Sequence, residues 1–335
     1  MPGKEDVLAE KENTPEISVI IPVYNVEKFI GRCLLSLVGQ TFRSYEVIAV
    51  NDGSTDSSGD ILRSFAEKYD FIKVIDQKNA GASKARNAAI RAARGKYFSF
   101  VDSDDYVAPT FLEELYYACK DYDADISCCY YYFHYIENDL LLEYPFRCKG
   151  VLDRTQAMKK LLHDVQIQSL LWNKLYRREL FTDYNITFPS MCFEDIATLD
   201  KIFLHANRVV VLDRPLYYYN QHASSTLATI STEKINDFVQ SMAMVRLSLE
   251  GNGVYEKYKK SFKAMLNKTC GCCHLYIMQI HAEKKCFRGF LANIRRVDRI
   301  LRELSEEDFD TSAFVRERPD IVAEPQKLEK DYSVR

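Results

Sequence analysis

Residues 100–106 read FVDSDDY, and they close an apolar run, Lys96-Tyr97-Phe98-Ser99-Phe100-Val101. A run of that length and character is a buried strand. Its last residues put Asp102, Asp104 and Asp105 within four positions. Carboxylates are costly to bury without a cationic partner, so the charge at this strand end implies something held there. Upstream the same pattern repeats. Residues 17–22 (ISVIIP), 45–50 (YEVIAV) and 71–76 (FIKVID) are strand-like runs. Residues 26–38, 57–69 and 83–94 carry helical signals, with Ile30, Leu34, Leu37 and Val38 on one face of the first. Alternating strands and helices predict right-handed crossovers and a mainly parallel sheet, an α/β fold.

In such a sheet, ligands lie beyond the carboxyl ends of the strands. The polar clusters fall at those ends: Pro22-Val23-Tyr24-Asn25 after the first strand, Asn51-Asp52-Gly53-Ser54 after the second and Asp102-Ser103-Asp104-Asp105 after the fourth. They are expected to converge on one edge. Asp-x-Asp there suits a hard cation such as magnesium or manganese, with water and phosphate filling its other positions. The competing reading is a solvated acidic turn or helix cap.

The bulk properties narrow the function. The chain has 335 residues, 47% hydrophobic, and a formal net charge of −3. A large core is available, and no basic field points to nucleic acid. The polar N-terminus has no apolar core of signal-peptide type, and no run of about 18 apolar residues occurs. The expectation is a cytoplasmic protein that lies, at most, against a membrane surface. Ten cysteines are scattered except in Cys270-Gly271-Cys272-Cys273-His274, which lacks the spaced pairs of a zinc framework. Reduced, apolar cysteine is the plainer reading there.

Taken together, Pro22-x-Tyr24-Asn25, Asn51-Asp52-Gly53-Ser54-Thr55-Asp56, Asn79-x-Gly81-x-Ser83-x-Ala85-Arg86-Asn87 and Asp102-Ser103-Asp104-Asp105 resemble glycosyltransferase family 2. The blocks stand in that family's order. The resemblance implies a GT-A fold, a Rossmann-like mainly parallel sheet flanked by helices, with a helical C-terminal region following. It implies an inverting, metal-dependent transfer from a UDP-sugar, with Mn2+ or Mg2+ as cofactor. It also implies roles. Pro22, Tyr24 and Asn25 line the nucleoside pocket, and Asp52 accepts a hydrogen bond from uracil. Lys78, Gly81 and Arg86 border base and diphosphate. Asp102 contacts ribose or metal, Asp104 ligates the metal, Ser103 lies on the donor side, and Asp105 binds donor hydroxyls or caps a helix.

Weaker resemblance extends through residues 172–181 (WNKLYRRELF), 186–189 (ITFP), 193–196 (FEDI) and 216–226 (LYYYNQHASST) to members that build bacterial capsules and surface polysaccharides. It implies Asp195 as the base, Glu194 orienting the acceptor or that base, and His222 in a loop over the diphosphate or metal. The same two carboxylates would also suit a helix start. Trp172 and Lys174 are candidate acceptor contacts, with core packing an equal alternative for Trp172 and a solvated side chain the plainer reading of Lys174. Domain expectations are a tail over 1–15, a nucleotide-sugar half over 16–105, an acceptor half over 106–230, a helical region over 231–318 and a charged tail over 319–335.

Residues 284–304 read as one basic amphipathic helix. It suits an anionic membrane carrying a lipid-linked glycan acceptor, or packing on the core with a solvated basic face. A sugar-phosphate nucleotidyltransferase is the alternative enzyme, but Pro-Val-Tyr-Asn stands where its glycine-rich loop belongs. A non-catalytic nucleotide-sugar-binding module is the third reading.

Overall fold

The computed structural model describes residues 14–222 and 229–325. Most of both expected tails, and residues 223–226 of the 216–226 block, lie outside the described residues. The four upstream strands form as expected: β1 (Ile17–Val23), β2 (Tyr45–Asn51), β3 (Ile72–Asp76) and β4 (Tyr97–Phe100). They pair in parallel in the order β3-β2-β1-β4. All seven residues of β2 are buried, as a central strand covered on both faces requires. The crossover helices are α1 (Ile30–Val38), α2 (Ser58–Lys68) and α3 (Ala82–Ala92). The first starts at Ile30 because residues 27–29 are taken up by a turn.

Beyond β4 come β5 (Tyr106–Val107), α4 (Phe111–Asp121), β6 (Ile126–Tyr135), β7 (Leu140–Glu143), β8 (Gly150–Asp153) and α5 (Arg154–His163). The short β9 (Lys174–Arg177) lies antiparallel between β4 and β6 and joins the two halves of the sheet. After α6 (Glu179–Thr182) and α7 (Ile196–His205), the long β10 (Arg208–Gln221) runs parallel to β6. Its register shifts on both sides of Pro215, where a proline cannot donate to the ladder. The aromatic runs 130–133 and 217–219 lie in β6 and β10, which pair side by side.

The C-terminal region is α8 (Thr232–Gly251), α9 (Tyr255–Glu283), α10 (Phe290–Glu303) and α11 (Thr311–Glu317). Its buried apolar residues join those of the sheet in one continuous core. The single helix expected over 284–304 is corrected. Lys285 (φ 49°) and Gly289 (φ 82°) take left-handed backbone, so the helix begins at Phe290. Its apolar face divides as well. Val297, Leu301 and Leu304 are buried, while Phe287 and Leu291 are about three-fifths exposed, at 61% and 62%. Among the described residues, no helix is long and apolar enough to cross a membrane.

Candidate active site

The loops after β1 and β2 are laced together. Asn25, itself left-handed at φ 49°, donates its N–H to Ser54 Oγ (3.2 Å) and accepts from Thr55 N–H (2.8 Å). Val26 N–H donates to Ser58 Oγ (2.9 Å). Tyr24 is half-exposed at the rim. Asp52 is buried, and its carboxylate accepts from Gln77 Nε2 (2.6 Å), Ala80 N–H (2.9 Å) and Gly81 N–H (2.8 Å). Asp52 thus holds the β3–α3 loop in place. A carboxylate has about four acceptor sites, so capacity for one more donor remains.

Gly53 and Gly81 both take positive φ, 70° and 91°. A Cβ on Gly53 would also stand 2.8 Å from Asn79 N, whereas one on Gly81 would meet nothing within 4 Å. Gly53→Ala is therefore expected to lower stability by about 1–3 kcal/mol, from strain and crowding together. Gly81→Ala should lower it by about 1–3 kcal/mol as well, because φ 91° and ψ 158° lie in a region that is essentially glycine's alone. Urea melts of the two variants measure both losses, and a wild-type midpoint in either would contradict the strain at that glycine. Lys78 is exposed and borders a polar hollow of about 390 Å³ with Gln77, Ala80, Lys84, Asn87 and Arg91. A larger hollow of about 820 Å³, lined by Phe146, Arg147, Lys159 and His163 among others, contains none of the cluster's residues.

The centre of the site is Arg86, buried on α3. Its Nη2 donates to Asp102 Oδ1 (2.9 Å), and its Nη1 donates to Glu194 Oε1. One guanidinium therefore joins the β4 loop to the start of α7. Burial alone would lower the Arg86 pKa, but Glu194 and Asp102 hold it well above its ordinary value. Asp102 is raised by burial, against the pull of Arg86. Asp104 is partly exposed and accepts from His222 Nε2 (3.0 Å), whose ring stacks on Phe29 at 4.6 Å. Ser103 is buried between them.

Asp105 departs from the donor-side role expected for it. It is 1% exposed, and its two oxygens accept from Tyr217 Oη (2.8 Å) and Asn220 N–H (2.8 Å). Tyr217 Oη also accepts from Asp102 N–H (3.1 Å), so β10 fixes the acidic loop from behind. Burial and the neighbouring Asp104 and Asp102 carboxylates push Asp105 well up from the usual carboxylate range.

Asp195 caps α7, its Oδ1 accepting from Ile196 N–H (2.8 Å). Burial first, then the Glu194 carboxylate, push its pKa up to about 8. The cap and the site are thus compatible uses of one residue. The preceding Phe193 is left-handed at φ 59° and stacks on Phe238 of α8 at 4.5 Å. Cys192 N–H donates to Asp237 Oδ2 (2.8 Å). α8, which carries no motif, therefore props up the loop that presents Glu194 and Asp195. On the other side Asn87 exchanges two hydrogen bonds with Phe188, both 2.9 Å.

Two expected acceptor contacts are corrected. Lys174 is fully buried and donates its ammonium to Gln168 O (3.0 Å), Asn173 Oδ1 (2.7 Å) and Leu170 O. Trp172 is 5% exposed and stacks on Tyr217 at 4.2 Å. Lys174 braces β9 from inside, and Trp172 backs Tyr217. Sequence reading missed Tyr217, Asn220 and Gln77 as supports. The first two lay in a recognised block, but their partner Asp105 is more than a hundred residues away.

Residues 18–192 match the family described as Glycosyl transferase family 2. Glycosyltransferase GlyA of Streptococcus pneumoniae serotype 4 is 34% identical over 263 residues, 75% of this chain and 37% of that protein. The poly(ribitol-phosphate) beta-N-acetylglucosaminyltransferase TarS of Staphylococcus aureus is 31% identical over 268 residues, 74% of this chain and 43% of TarS. The chain thus spans less than half the length of either relative. The crystal structure of TarS residues 1–349 with UDP superposes with a TM-score of 0.63 at 24% identity, covering 91% of this chain and 88% of that one. The fold is the GT-A fold.

Proposed function

The chain belongs to glycosyltransferase family 2, and on that footing we propose that it transfers a sugar from a UDP-sugar to a growing surface glycan, with inversion and with a divalent cation. The observation that carries this reading is the division of labour among the carboxylates. Arg86 engages Asp102 and Glu194, and β10 engages Asp105. Asp104, partly exposed at the rim beside His222, and Asp195, whose Oδ1 caps α7, are the carboxylates assigned to chemistry, with Asp102 shared between Arg86 and the cation. Asp195 supplies the base: with a pKa near 8 it takes a proton readily at the pH where it is still substantially ionised. It accepts the proton of the attacking hydroxyl as the bond from sugar to diphosphate breaks.

Asp104, partly exposed, and Asp102, with Oδ1 on Arg86, are the residues that would hold Mn2+ or Mg2+. Their oxygen donors fit a hard cation, whose other positions a diphosphate and water complete. A bound cation there neutralises charge on the departing diphosphate. His222, stacked on Phe29, steadies Asp104. Asp52 offers its remaining acceptor site to the uracil N–H, with Pro22, Tyr24 and Asn25 around the nucleoside. UDP as carrier is supported by the TarS structures, one with UDP and another with UDP-GlcNAc. The nucleotidyltransferase and binding-module alternatives are not favoured, since the matched family and the intact Asp104 and Asp195 point to transfer.

Exposed Phe287 and Leu291, flanked by exposed Lys285, Arg288 and Arg295, suit a contact with the cytoplasmic face of an anionic membrane beside a lipid-linked acceptor.

The test is Asp104→Ala. Manganese-dependent UDP release from UDP-sugars should fall to background while the melting transition stays cooperative. Wild-type rates in this variant would remove Asp104 from the metal site. The wild type should also bind UDP more tightly with manganese than without it, measured by calorimetry.

A further inference from the structure

Far along the chain from these carboxylates, the cysteine run on α9 resolves into separate environments. Cys273 is buried in the core, while Cys270 is only partly buried. Cys270 and His274 lie one helical turn apart, so they share a face. Asp298 reaches them from α10. His274 Nε2 is 2.7 Å from Asp298 Oδ1, and Cys270 Sγ is 3.2 Å from the same oxygen. Sγ and Nε2 are 3.5 Å apart. Among the described residues this is the one group of three metal-ligating side chains gathered this closely.

We propose that Cys270, His274 and Asp298 form a binding site for a zinc-class divalent cation that ties α10 to α9. Zinc bonds to sulfur, imidazole and carboxylate are about 2.0–2.3 Å, so tetrahedral donors stand about 3.3–3.6 Å from one another. The cysteine and histidine are already at that separation, and Asp298 reaches it by a small side-chain rotation. One thiolate, one imidazole and one carboxylate suit zinc or cobalt and discriminate against magnesium and calcium. His274 and Asp298 are each over a third exposed, 37% and 36%, so an ion has a path in and water can fill the fourth position. As the sulfur–metal bond forms, the thiol proton leaves to solvent.

The position gives the tie a purpose. α10 has 14 residues, of which only Asn293, Val297 and Leu301 are buried. Asp298 follows Val297 directly, so a cross-link there acts where the helix is seated. Without a cation the same side chains make a hydrogen-bonded contact only, and that is the competing outcome.

The experiment uses the full chain, reduced and stripped with chelator, titrated with cobalt(II) alone. A thiolate-to-cobalt absorption band should appear and saturate at one equivalent, and zinc should abolish it. Cys270→Ser and His274→Ala should each lose the band while melting cooperatively. Zinc should raise the wild-type melting temperature and leave that of Asp298→Asn nearly unmoved. No band in the wild type, or an equal band in Cys270→Ser, overturns the proposal. A zinc-induced rise in Asp298→Asn as large as the wild type's overturns it as well.

Discussion

Asp195→Asn should bind UDP with manganese as the wild type does and turn over about two to four orders of magnitude more slowly, the usual worth of a general base. The amide keeps the shape and can still accept from Ile196 N–H, so the cap on α7 survives. What it removes is the proton acceptor. Because Asp195 titrates near 8, wild-type turnover should climb with pH up to about that value and then level off. The substitution should also stabilise the fold. A carboxyl whose folded pKa is raised costs nothing below its unfolded value, near 4, and costs most above its folded value. The melting-temperature advantage of Asp195→Asn should therefore widen from pH 4 to pH 8. If Glu194→Gln were inactive and Asp195→Asn nearly normal, the two roles would be exchanged.

Arg86→Met should be the most damaging single change to the architecture of the site. It leaves the Asp102 and Glu194 carboxylates facing one another with their shared counterion gone. Removing one member of a buried ion pair costs about 3–5 kcal/mol, and here two carboxylates lose the same partner. The denaturation midpoint in urea should fall accordingly, and activity should be lost. Arg86→Lys keeps the charge but cannot fork to two carboxylates at fixed geometry, so it should fall between. The Arg86 charge also lowers the Asp195 pKa. The pH limb in Arg86→Lys should therefore move little, while residual activity in Arg86→Met would appear only at higher pH. A wild-type midpoint in Arg86→Met would show that the bridge carries no stability.

The first four strands and their crossover helices could be read from the chain because their signals are local. Short apolar strands end in Asn, Asp and Gly, and helices of the right period lie between them. β9 could not be read in that way. It is four residues long, and its first residue is a lysine buried where only three oxygen acceptors make it tolerable. In a sequence, such a lysine looks like surface. The residues gathered in the carboxylate cluster stand in motifs of the sequence, but several of their partners could not be read there. Arg86 spans partners 16 and 108 positions away, and Asp105 is committed to β10. Those pairings arise only when the sheet closes. The basic amphipathic helix misled for a related reason: the apolar period runs through 284–304, but two left-handed residues interrupt it. Likewise, Asp298 had no visible link to the cysteine run until α10 packed on α9.

The most direct measurement is proton NMR of slow UDP-sugar hydrolysis by the protein with manganese, run on UDP-glucose, UDP-galactose and UDP-N-acetylglucosamine. For the accepted donor, free sugar should first appear as the β-anomer, in step with UDP, and neither should form above background with Asp195→Asn. First appearance of the α-anomer, or UDP release undiminished in Asp195→Asn, would contradict a single displacement driven by that carboxylate.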